Sequence, residues 1–131
     1  MRKFSLKRLV RDKIVSQIQE RKDEPDYRVL DNAEYITELK KKIAEEAREL
    51  IKGEAPESKT LKELADIEEA IDCLLAALDL DRQALSEAQV KRRAENGSFK
   101  EKRYIETVNL RDDSDWLDYY LADPEKFKEI K

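Results

Sequence analysis

Histidine is absent from the 131 residues. That removes the Glu-x-x-His ligands of a di-iron bundle, a histidine-bound zinc ion, and any serine or cysteine nucleophile served by a histidine base. Cysteine occurs once, so no internal disulfide can form, and the place of Cys73 in the apolar run from Ala70 to Leu78 reads as packing in a reducing, cytoplasmic setting. Two glycines and three prolines are too few for the turns of a sandwich or barrel. No apolar stretch reaches the roughly 18 residues of a membrane span. After Met1, Arg2 and Lys3 the charges of Arg11, Asp12 and Lys13 interrupt any signal-peptide core. An excess of basic charge is also missing: 27 Lys and Arg stand against 31 Asp and Glu, a net charge of −4. A protein that wraps nucleic acid is therefore not expected, although a local pocket for phosphate is compatible with that balance.

What is present is 44% charged residues with a helical apolar period. The expected fold is all-α, a single domain over 1–131 built as a bundle of three to five helices. A short helix is predicted from about Leu9 to Arg21, then an extended segment over Tyr27 to Leu30. Asp31 caps a long helix to Lys52, which Gly53 closes and Pro56 keeps from continuing. A second long helix starts at Ser58 or Thr60 and reaches Leu80, and Asp81 caps a third through Glu95, ending at Asn96 and Gly97. Beyond it, Phe99 is expected at the core edge, Tyr104 to Val108 as a short strand, and Ser114 as the cap of a helix bearing Trp116, Tyr119 and Tyr120. From Ala70 to Leu80 the second long helix is apolar nearly all round, so a homodimer or higher homo-oligomer is expected to cover it.

The chemistry concentrates in Glu46 and Glu49, then, after 13 residues, in Glu63 and Asp66. Residues three apart share a helix face, so each helix can present two carboxylates side by side. With Ile36 at zero, Glu46 falls at about 280° and Glu49 at about 220°; with Leu64 at zero, Glu63 falls near 260° and Asp66 near 200°. Both pairs flank, on the same side, the apolar arcs formed by Leu39, Ile43, Ala47, Leu50 and Ile51 on the first helix and by Leu61, Leu64, Ile67, Ile71, Leu74, Leu75 and Leu78 on the second. Four carboxylates brought together repel unless a cation sits among them, and hard oxygen donors select Mg²⁺ or Mn²⁺. A chain this rich in charge also produces Glu-x-x-Glu on an ordinary solvated face. Arg11, Asp12 and Lys13 read first as a solvated turn with one local ion pair, the alternative being that Arg11 or Lys13 meets a phosphate. Lys91, Arg92 and Arg93 suit the C-terminal end of any helix. Glu68, at about 40°, falls in the apolar arc, where a carboxylate needs a partner.

Taken in order, Leu9-Val10-Arg11-Asp12-Lys13-Ile14, Glu-Glu-x-x-Glu, Glu63-Leu64-Ala65-Asp66 and the stretch from Lys91 to Phe99 resemble the MazG-like all-α nucleoside-triphosphate pyrophosphohydrolase superfamily. The branch most similar is that of phosphoribosyl-ATP pyrophosphohydrolase. The likeness covers about residues 9–108 and leaves 109–131 as a C-terminal tail. It implies a Mg²⁺-dependent hydrolase, possible house-cleaning work on noncanonical nucleotides included, that cleaves between the α- and β-phosphates to give a monophosphate and pyrophosphate. It further implies Glu46, Glu49, Glu63 and Asp66 as metal ligands and catalytic groups, and Lys91, Arg11 and Lys13 near the substrate phosphates. Asn96 departs from the basic residue that relatives often carry before the glycine. Two other readings remain beside it: a helical interaction module that has lost turnover, and a nucleic-acid binder using residues 2–13.

Overall fold

The computed structural model describes residues 1–53 and 56–131, and every regular element among them is helical. The elements are α1 (Ile14–Glu20), α2 (Asn32–Lys52), α3 (Glu57–Ala77), α4 (Arg82–Asn96) and α5 (Leu117–Leu121). The all-α expectation holds. The segments 27–30 and 104–108 form no strand. The chain divides into two compact units, residues 1–95 and 96–131.

Helix ends in the first unit follow their caps. The Asp31 side chain accepts from the Glu34 N–H at 2.9 Å and Asp81 accepts from the Ala84 N–H at 2.8 Å, each satisfying a donor left free in a first helical turn. α3 stops at Ala77 rather than Leu80, because Asp79 turns left-handed at φ 56° while its N–H reaches Ala76 O and the Leu80 N–H reaches Leu75 O. That is the double bond of a Schellman cap, with aspartate where glycine is usual. Lys22, at φ 66°, closes α1 in the same way. α1 is also shorter at its start than the apolar spacing predicts, opening at Ile14 behind a turn at Asp12 and Lys13.

The core of this unit is the α2–α3 hairpin, the one pair of helices that packs along its length among the described residues. Its buried apolar residues are Leu39 on α2 and Ala70 on α3. The rotation of α3 departs from the sequence expectation. Its buried positions are Glu63 and Ala70, seven apart on one stripe, whereas Leu61, Leu64 and Leu78 of the predicted arc are 66%, 44% and 44% exposed. Ile51, at the end of the α2 arc, is exposed as well. Cys73 is half-buried at the hairpin, and the Tyr35 hydroxyl is pushed up to about 12, by burial first and then by its hydrogen bond with Cys73. Glu68 is not a buried carboxylate: it is exposed and pairs with Arg82, which also binds Asp72 at 2.5 Å and so ties the start of α4 to α3.

The second unit is organised by aromatic rings. The Ser114 hydroxyl accepts from the Trp116 N–H at 3.2 Å ahead of α5. Tyr120 and Phe127 lie 4.5 Å apart between centroids, with Tyr119 edge-on to Trp116 at 5.7 Å. Gly97 adopts φ 82°, the left-handed conformation expected after a helix. Phe99 is fully exposed rather than tucked into a core.

Candidate active site

Glu46 and Glu49 from α2, with Lys59, Lys62, Glu63 and Asp66 from α3, line one cleft of about 320 Å³ along the hairpin. The helical period explains the α3 side, since positions 59, 62, 63 and 66 follow the i, i+3, i+4, i+7 pattern of a single face. All four carboxylates singled out in the sequence are thus placed on one cleft. Lys59 and Lys62 are cleft residues that the sequence analysis did not select, although the same stripe would have found them.

Each carboxylate has a different setting. Glu63 is 5% exposed, and its Oε1 has no hydrogen-bond partner among the described residues. Asp66 accepts from Arg11 Nη2 at 2.7 Å, an ion pair that pins the segment before α1 onto α3 and holds the guanidinium above its ordinary value. Glu49 lies 3.6 Å from Lys52. Glu46 is raised above the usual carboxylate range, chiefly by burial and next by the charge of Asp66 on the facing helix; Lys42 pulls the other way. The carboxylates of the two helices therefore feel one another across the cleft.

The donor set is all oxygen, and one buried oxygen is without a partner, which fits a hard divalent cation. Among the described residues, however, no three acidic or cysteine side chains converge closely enough to hold an ion. The ion pairs of Asp66 with Arg11 and of Glu49 with Lys52 engage two of the four groups.

The cations named from the sequence are dispersed. Arg11 reaches the cleft through Asp66. Lys13 sits at the start of α1 with its side chain exposed, and its carbonyl accepts from Gln17 N–H and Ser16 Oγ. Lys91 on α4 is exposed, 3.9 Å from Glu95, and is not among the residues that line the cleft.

The raised Glu46 gives a pH signature. A carboxyl whose pKa is higher in the folded than in the unfolded chain contributes stability below its unfolded pKa and loses it as pH rises through the folded value. Thermal melts in chelator should therefore show stability falling as pH climbs out of the ordinary carboxylate range. Glu46→Gln should flatten that fall and melt higher than wild type at neutral pH. An unchanged slope in Glu46→Gln would remove Glu46 from the carboxylate cluster.

No family model matches the chain, and no curated protein or solved structure matches it.

Proposed function

We propose that this chain is a divalent-metal-dependent nucleotide pyrophosphohydrolase, akin to the MazG-like superfamily, that cleaves a nucleoside triphosphate or related nucleotide between the α- and β-phosphates. The observation that carries the reading is the cleft itself: four carboxylates from two helices, one of them buried with an unpartnered oxygen, beside Lys59 and Lys62. Glu46, Glu49, Glu63 and Asp66 would hold Mg²⁺ or Mn²⁺, which when bound neutralises phosphate charge and polarises the phosphoryl group. Lys59 and Lys62 offset charge on the polyphosphate, and Arg11 can do so on leaving Asp66. A carboxylate of the cleft orients water toward the α-phosphorus, taking its proton as the α–β bridging bond breaks and pyrophosphate leaves.

The test is a nucleotide screen in ¹⁸O-water. The products should be a monophosphate carrying the label and unlabelled pyrophosphate. Label in pyrophosphate places attack at the β-phosphorus, and absence of turnover across the screen supports the second reading, a helical module without catalysis. That alternative draws on the lack of three converging acids noted above.

The same reading includes self-association. Leu61, Leu64 and Leu78 of α3 stand uncovered. Light scattering after gel filtration should give at least twice the chain mass. Leu64→Arg or Leu78→Arg should dissociate or unfold the protein, because each forces a charge into a dry seam. A stable wild-type monomer at micromolar concentration would refute this.

A further inference from the structure

A second cleft, of about 330 Å³, runs between the N-terminal segment and α2, and Glu49 lines both it and the carboxylate cleft. Its walls carry five cations, Lys7, Arg8, Lys41, Lys42 and Arg48. Against them stand three carboxylates, and each already has a partner. Glu45 is held by Arg8 at 3.0 Å and by Lys42 at 3.4 Å, Glu38 by Lys41 at 3.2 Å, and Glu49 by Lys52. Lys7 and Arg48 make no ion pair among the described residues. In a chain whose net charge is −4, the cleft keeps a local excess of positive charge with two cations uncommitted.

The backbone supports that arrangement. Lys7 adopts φ 45°, a left-handed conformation that costs a non-glycine residue roughly 1 kcal/mol or more. The Arg8–Glu45 ion pair fixes the next residue against α2. Lys41 and Arg48 are seven residues apart on α2, about 10 Å along its axis, so the cationic face is two helical turns long. Acidic residues interleaved over that length do not suit a nucleic-acid backbone, which needs an uninterrupted track of positive charge. A small, highly charged oxyanion fits instead, with the planar Arg48 guanidinium able to grip two oxygens and Lys7 supplying a point charge.

We propose that this cleft, which shares Glu49 with the carboxylate cleft, is a binding site for a pyrophosphate group. The choice of pyrophosphate over other small oxyanions rests on the proposed reaction; the site itself does not.

Calorimetric titration of the full chain with sodium pyrophosphate, in chelator and at low salt, tests it. Wild type should bind one pyrophosphate per chain, and more weakly as salt is raised. Arg48→Ala should weaken binding about tenfold or more and Lys7→Ala severalfold, with Arg48→Lys between wild type and Arg48→Ala. Arg48 and Lys7 are exposed, so these variants should fold, which their melting curves check. Lys40→Ala, exposed on the same helix but lining neither cleft, should bind as wild type does. No binding by wild type at millimolar pyrophosphate, equal binding by Arg48→Ala, or an equal loss in Lys40→Ala would each overturn the site. A protein that binds pyrophosphate through Arg48 yet hydrolyses no nucleotide keeps this site and loses the proposed reaction. One that hydrolyses nucleotides with Arg48→Ala binding normally does the reverse.

Discussion

Replacing Glu49 by Gln or Asp66 by Asn is expected to lower kcat/KM by about 10³-fold or more, equivalent to roughly 4 kcal/mol of transition-state stabilisation. Each change keeps size and shape and removes one negative charge from a cleft lined by four carboxylates of two helices. The two variants should differ in a second measurement. Asp66→Asn also releases Arg11, whose guanidinium loses a charged acceptor at 2.7 Å. Because both partners are partly exposed, that loss should cost folding stability no more than about 1 kcal/mol. Thermal melts in chelator should therefore place Asp66→Asn at or slightly below wild type, while addition of Mg²⁺ should raise the melting temperature of wild type and of neither variant to the same degree. Steady-state kinetics and melts on the same preparations decide the matter. Wild-type turnover in both variants would exclude the four carboxylates as a working unit.

Glu63 should show the opposite sign in stability. A buried carboxylate with an unpartnered oxygen costs about 1–3 kcal/mol relative to a group with no polar atom to desolvate. Glu63→Met keeps the length of the side chain and fills the same space between α2 and α3 with apolar surface. The expected result in chelator is a variant more stable than wild type by about that amount, roughly 4–12 °C in melting temperature. It should have no detectable nucleotide hydrolysis and no stabilisation by Mg²⁺. Such a trade, in which a residue weakens the fold and serves the site, is the usual mark of a functional position. If Glu63→Met melts below wild type, the buried oxygen is satisfied in solution and Glu63 is a structural residue.

These two predictions depend differently on sequence. The pairing of Glu46 with Glu49 and of Glu63 with Asp66 follows from helical spacing, and their meeting on one cleft follows once both helices are oriented by apolar arcs. The burial of Glu63 does not follow. An arc centred on Leu64 would leave that carboxylate at its margin, and the structure instead places Glu63 and Ala70 at the buried stripe of α3. The difference is a rotation of α3 about its own axis, which moves Leu61 and Leu64 outward and brings Lys59 and Lys62 to the cleft.

Sequence alone determined the helical class, the caps at Asp31 and Asp81, the end of α4 before Gly97 and the two carboxylate pairs, because each is written in spacings of a few residues along one helix. Tertiary structure decided the rest: which stripe of α3 meets α2, that Arg11 finds Asp66 at a distance of 55 residues, that Glu68 is neutralised by Arg82, and that Lys91 lies away from the cleft lining. The physical reason is that local periodicity fixes angles within a helix but not the rotation of one helix against another. That rotation is set by the sum of many weak packing contacts, and a long charged side chain takes whichever opposite charge the packed arrangement brings within reach.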